Sequence, residues 1–202
     1  MSKHEALHEL QKKTAEANLP LKETATNLVF GKGNPDAEIL FLGEAPGKFE
    51  DAQGIPFVGA AGKLLDEMLN KINLTLNDIY IANILKYRPP NNREPQPEEI
   101  RAHTPYLVEQ IKIIQPKIII TLGNYATKFI LGGCTVEGMA AVNGITTLHG
   151  KEKKATIAGK EYLIIPMYHP AALIYDRTLR PVADEDFKKI KDALGQKSLL
   201  AY

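Results

Sequence analysis

Three side chains in this 202-residue chain have the types and spacing to act on a bound ligand: the carboxylate of Glu44, the amide of Asn83 and the imidazole of His169. Each sits at or near the end of an apolar run: Ala37-Glu-Ile-Leu-Phe-Leu42, Ile79-Tyr-Ile-Ala-Asn-Ile-Leu85 and Tyr162-Leu-Ile-Ile-Pro-Met167. A partly dehydrated carboxylate can serve as a base, an amide both donates and accepts, and an imidazole titrates near neutrality. The segment Gly43-Glu-Ala-Pro-Gly-Lys-Phe-Glu-Asp51 adds a second acid pair, Glu50 and Asp51, with a proline-fixed turn and glycines that let a ligand approach the backbone. Each residue also has a plain reading: solvated acids in a tight turn, a satisfied core amide, a histidine capping before a proline. Their convergence on one sheet edge favours the chemical reading.

The elements that must position them alternate in type. Residues 4–17 have helical character and end near Leu19-Pro20; the first strand is 37–42. Residues 60–72 place Leu64, Leu65, Met68, Leu69 and Ile72 at helix spacing, and 79–85 is a second β-rich run. A Pro- and Asn-rich loop, 88–97, leads into a helix over 97–114, whose Pro97-Glu98-Glu99 start suits a first turn. Lys117-Ile-Ile-Ile-Thr-Leu122 reads as a doubly covered parallel strand, followed by a helix over 123–131. Residues 143–161 resemble a polar hairpin, 162–167 is the last strand, and a C-terminal helix starts near Asp184. This alternation predicts an α/β fold: a three-layer α/β/α sandwich around a central, mainly parallel four-stranded sheet. In an open sheet of this kind, ligands bind beyond the carboxyl ends of the strands, which is where Glu44 and His169 fall.

The length suits one domain, 1–202, with residues 1–25 as a helical segment packed on it. A hydrophobic fraction of 44% and a charged fraction of 24% are ordinary for a globular chain, and no apolar run reaches membrane-span length. The lone Cys134 excludes an internal disulfide and an all-cysteine metal centre, and the start Met-Ser-Lys-His-Glu-Ala lacks the pattern of a signal peptide. A cytoplasmic protein is expected. A net charge of +1 leaves any attraction to nucleic acid to local clustering.

Four motifs, in order, resemble those of family 4 uracil-DNA glycosylases. They are Gly43-Glu-Ala-Pro-Gly-x-x-Glu-Asp51, Gly54-Ile-Pro-Phe-Val-Gly59, Asn83-Ile-Leu-Lys-Tyr-Arg-Pro-Pro-Asn-Asn-Arg93 and His169-Pro-Ala-Ala-Leu173. The resemblance runs from about Leu19 to the C-terminal helix. It implies an enzyme that flips uracil out of DNA and hydrolyses its N-glycosidic bond, leaving an abasic site. Gly43, Glu44, Ala45, Phe57, Asn83 and His169 would form the uracil pocket. Phe57 would stack on the flipped ring, if it is not ordinary core. Asn83 would pair with uracil O4 and N3–H, and His169 would donate to O2. Well-known superfamily members place an aspartate where this chain has Ala45, so Glu44 is the first candidate for orienting water and Asp51 the second. Both carboxylates could instead shape the pocket against thymine's methyl group.

The resemblance makes DNA containing uracil, single- or double-stranded, the expected partner of a monomeric protein. Lys86, Arg88, Asn92 and Arg93, with Arg177 and Arg180 after the His169 motif, are the candidate DNA contacts. Leu173, Ile174, Tyr175 and Leu179 are candidates for a wedge into the vacated stack. Family 4 enzymes typically carry a [4Fe–4S] cluster on four cysteines; those positions here read Glu16, Leu19, Tyr87 and His103. A protein with no metal and no cofactor is therefore expected, with Leu19 and Tyr87 packing in the cluster's place. Two alternatives differ in class: a uracil-DNA binding or cross-linking protein with little turnover, and a non-catalytic structural relative. The absence of histidine from Pro89–Pro97 argues against cross-linking, and the retention of Glu44, Phe57, Asn83 and His169 against a structural role.

Overall fold

The structure, a computed structural model, describes residues 1–199; residues 200–202, at the end of the expected domain, lie outside the described residues. The chain runs α1 (Lys3–Glu16), β1 (Lys32–Gly33), β2 (Ile39–Gly43), α2 (Lys48–Gln53), α3 (Ala60–Lys71), β3 (Ile79–Asn83), α4 (Pro97–Ile114), β4 (Ile118–Leu122) and α5 (Gly123–Leu131). It continues through α6 (Val136–Met139), α7 (Ile145–Leu148), β5 (Lys153–Ile157), β6 (Lys160–Met167), α8 (Pro170–Tyr175) and α9 (Arg180–Leu199).

The sheet has six strands among the described residues, ordered β1-β3-β2-β4-β6-β5, rather than the four expected. The four expected strands form its parallel centre, β3-β2-β4-β6. The two extra strands are antiparallel edges. β1 is two residues long, and β5 opens with exposed Lys153 and Lys154, so neither carries the apolar run by which a strand is read. Short or lysine-bearing edges also resist pairing with a second sheet. The hairpin expected over 143–161 is smaller: residues 145–148 form α7, and only β5 pairs back, onto β6, which includes the expected last strand. Helix α9 begins at Arg180, four residues before the expected start.

Every residue of β2, β3 and β4 is buried, because helices cover both faces. Alternate side chains divide between two cores. Ile39, Phe41, Ile79, Ile81 and Ile120 meet Leu65 and Leu69 of α3 and Phe187 and Ile190 of α9. Leu40, Leu42, Tyr80, Ala82 and Ile119 meet Leu107 and Ile111 of α4 and Phe129 and Ile130 of α5. Helix α1 adds Leu7 and Leu10 to the second core; its Ser2–Glu5 capping box closes its first turn, and the 2.7 Å bond from Lys3 Nζ to the Ile114 carbonyl ties it to α4.

Candidate active site

The carboxyl ends of β2, β3 and β6 surround a cavity of about 360 Å³, within the range of small-molecule sites. Glu44, Ala45, Gly47, Glu50, Phe57, Asn83, Asn92, Arg93, His169 and Ala171 all line it. The structure thus brings together Glu44, Phe57, Asn83 and His169, which lie as far apart as 125 residues in the chain.

Asn83 closes β3 opposite Gly43 of β2. Its side chain is 2% exposed, and its Oδ1 has no hydrogen-bond partner among the described residues. An orphaned buried acceptor costs about 1–3 kcal/mol, a cost that a ligand donor would remove. Gly43 lines no wall itself but makes room: a Cβ there would stand 2.3 Å from Asn83 Oδ1 and 3.0 Å from the Phe57 ring.

Phe57 lies 5.7 Å from the His169 ring, centroid to centroid, with its backbone in the left-handed region at φ 52°. Such a conformation costs about 1–3 kcal/mol in a non-glycine residue, so its surroundings must enforce it. Lys32 Nζ donates to the Phe57 carbonyl at 3.0 Å, and Glu50 Oε1 accepts from the amides of Val58 and Gly59 at 2.9 Å each. Gly62 completes the clamp, because a Cβ there would fall 2.0 Å from the Phe57 carbonyl oxygen.

His169 fulfils its plain reading and its chemical one together. Its Nδ1 accepts from the Ala171 amide at 3.1 Å, capping α8, so the neutral ring carries its proton on Nε2. Burial pushes the imidazole down to about 4, keeping that ring neutral. Glu44 moves oppositely: burial, with the charge of Glu94 adding to it, raises its carboxyl to about 7. Glu94 in turn accepts from the Tyr125 hydroxyl at 2.8 Å, a neighbour with no sequence motif to announce it.

Two expected site residues are placed elsewhere. Asp51 is buried away from the cavity, accepting from the amides of Thr26 at 2.8 Å and Asn27 at 3.2 Å. The end of the Gly43–Asp51 segment, read as a turn, opens α2 (Lys48–Gln53), where neighbouring residues point about 100° apart, so Glu50 and Asp51 are turned to different sides. Glu50 takes the inner position. Lys86 is not a DNA contact: it is fully buried, with Nζ donating to the Asn83 carbonyl at 2.8 Å and to Gln110 Oε1.

The remaining expected contacts are at the surface. Arg88 Nε donates to Asn92 Oδ1 at 2.7 Å, and Arg93 pairs with Glu99 while lining the cavity. Arg177 and Arg180 are exposed beyond α8. Of the four wedge candidates, Leu173 is 1% exposed and Leu179 packs on the core; Ile174 is partly exposed and Tyr175 is 90% exposed.

The residues at the cluster positions do not fit a cluster. Glu16 is exposed on α1, whereas Leu19, Tyr87 and His103 are buried, Tyr87 and His103 edge to face. Both ring nitrogens of His103 are committed: Nδ1 accepts from the Lys86 amide at 2.9 Å and Nε2 faces the Pro20 carbonyl at 3.2 Å. Burial raises the Cys134 thiol to about 12, away from the thiolate that binds metal. Among the described residues no group of three or more His, Cys, Asp or Glu could hold a metal ion, and no helix is long and apolar enough to cross a membrane.

Comparison with known proteins agrees with this geometry. The sequence profile of the uracil DNA glycosylase superfamily matches residues 30–195. A type-4 uracil-DNA glycosylase of Archaeoglobus fulgidus is 48% identical over 177 residues, covering 88% of this chain and 87% of that protein. One from Sulfurisphaera tokodaii is 49% identical over 168 residues, covering 83% of this chain and 74% of its own, and one from Thermotoga maritima is 42% identical with 85% of each covered. By profile and by relatives alike, this chain belongs to the uracil DNA glycosylase superfamily, in its type-4 branch.

Proposed function

We propose that this protein excises uracil from DNA as a monofunctional, cofactor-free glycosylase, and the observation that carries the reading is the unpaired Asn83 Oδ1 facing the cavity. A flipped uracil presents an N3–H donor beside the O4 acceptor, the complement of an amide's oxygen and nitrogen. Cytosine presents the opposite polarity and would leave buried groups unpaired, a discrimination worth more than shape alone gives. Phe57 stacks on the ring. As the C1′–N1 bond breaks, its electron pair leaves with the base, and the His169 Nε2–H donates to the developing O2 anion. Neutral imidazole suffices there, because the donor needs no charge in a dry site. Ionised Glu44 orients a water toward C1′, offsets the positive charge on the sugar and accepts the water's proton.

Arg88, Asn92, Arg93, Arg177 and Arg180 hold the phosphates, and Tyr175 fills the vacated stack; Asn92 and Arg93 line the cavity, and the exposure of Tyr175, Arg177 and Arg180 in the segment after His169 supports the rest. One domain, with residues 1–25 packed on it, and one copy suffice, since every group named comes from a single chain. We place it in the cytoplasm, where its DNA substrate lies. The commitment of both His103 nitrogens supports the absence of a cluster.

A gel assay on single- and double-stranded oligonucleotides bearing one uracil, followed by alkali, tests the activity. Strand cleavage is expected. A heat-stable shifted adduct would indicate cross-linking instead, and neither product would leave a structural role.

A further inference from the structure

Lys86 has no exposed surface and makes no ion pair among the described residues. Burying a lysine without a counter-charge is costly, enough to lower its pKa to about 7, and a methionine or leucine would pack the same space without that cost. Stability alone is a poor reason for a lysine here. What it touches supplies a better one. The β2–β3 register ends at the Gly43–Asn83 pair; just beyond it the Ile84 and Leu85 amides donate to the Gly43 and Glu44 carbonyls at 3.0 Å each, and Lys86 Nζ takes the Asn83 carbonyl at 2.8 Å from the other side of that peptide. The lysine is itself held rigidly: Gln110 accepts from Nζ and donates to the Phe30 carbonyl at 3.0 Å. His103 accepts from its amide, and its own carbonyl accepts from Val29 at 2.8 Å.

We propose that Lys86 is a positioning residue for base recognition: by fixing the Asn83 main chain from behind, it aims the unpaired Asn83 amide oxygen into the cavity. The inference rests on Asn83 being the base-reading amide. It also explains why the lysine of the motif Asn83-Ile-Leu-Lys-Tyr-Arg is turned into the core.

The test is a mutant cycle of Lys86→Met with Asn83→Ala, read by single-turnover excision, inhibition by free uracil and affinity for an abasic oligonucleotide. Lys86→Met is expected to weaken uracil inhibition and slow excision by about tenfold each, with abasic-DNA affinity changed less than about twofold. In the Asn83→Ala background its further effect on excision is expected to be less than about twofold, because the interaction it supports is already gone. Unchanged uracil inhibition in Lys86→Met, or an undiminished loss in the Asn83→Ala background, would overturn the inference. Should Lys86→Met not fold, Gln110→Met keeps the lysine but removes one of its acceptors. A smaller loss of the same non-additive form is then expected, and an additive one overturns the proposal. If Asn83→Ala itself excises uracil normally, the base-reading assignment fails, a result distinct from failure of Lys86 alone.

Discussion

Two buried polar regions adjoin the loop after β3, and they are built in opposite ways. In the cavity, Asn83 Oδ1 lacks a partner, Phe57 holds a left-handed backbone, and Glu44 is kept at a raised pKa of about 7. Around Leu19, Tyr87 and His103, both histidine nitrogens are partnered and the apolar groups are packed. The first region retains an unsatisfied acceptor and backbone strain, each costing about 1–3 kcal/mol, and a ligand donor would relieve the acceptor. The second has closed on itself. The difference teaches where groups are kept open for chemistry and where they are closed by ordinary packing.

The sharpest way to break this contrast is to remove a group from the open region. His169→Ala is expected to lower kcat on uracil-containing DNA by roughly 10²–10³ with a much smaller change in KM, as for loss of an oxyanion donor. A loss below about threefold in stopped-flow or quenched kinetics would remove His169 from the chemistry. Glu44→Gln is expected to slow excision by about 10²-fold and yet raise stability at pH 8 by ~1 kcal/mol. The sign follows from linkage. A folded pKa near 7 exceeds the ordinary 4.5, so the stabilising contribution is fully present below pH 4.5 and lost as pH rises through 7. Denaturant melts at pH 5 and pH 8 check it; an equal effect at both would contradict the assigned burial.

A change in the closed region should do the reverse. His103→Leu leaves the Lys86 amide and Pro20 carbonyl unpaired and is expected to cost about 1–3 kcal/mol in urea melts, with kcat changed only a few-fold. Burial also lowers the His103 pKa from 6.5 to about 4, so its contribution is present above pH 6.5 and lost as pH falls through 4. The variant's stability should therefore fall less steeply over that window than the parent's, while His169, lowered likewise, leaves part of the acid sensitivity in both. The smallest effect is expected from Glu94→Gln. Removing that charge lowers the Glu44 pKa, and the acid limb of kcat/KM should move to lower pH. A limb that moves upward or stays fixed would separate Glu44 from the rate.

Much of this was legible in the residues. The helix expected over 97–114 is α4 at the same bounds, because Pro97 and Glu98-Glu99 mark a start that few other patterns imitate. Glu44, Asn83 and His169 were found because apolar strands announce their own ends, and strand ends of a parallel sheet converge. What stayed hidden depends on direction rather than type. Glu50 and Asp51 are adjacent carboxylates, and only the register of α2 decides that one faces the cavity while the other pins Thr26 and Asn27. Lys86 sits among basic residues beside a proline-rich loop, and nothing in its type says that Gln110, 24 residues on, waits as its buried acceptor. The edge strand β1 has no apolar run to announce it, and β5 reads as half of a polar hairpin rather than as a member of the sheet, because edges need little apolar content.

The central claim, that the cavity excises uracil without a metal, is tested most directly by one preparation measured twice. Protein purified anaerobically is assayed for iron, and the same sample is given a single-stranded oligonucleotide with one uracil under single-turnover conditions. The account expects complete alkali-labile conversion with iron far below one atom per chain. Stoichiometric iron, or an intact oligonucleotide from well-folded protein, would contradict it.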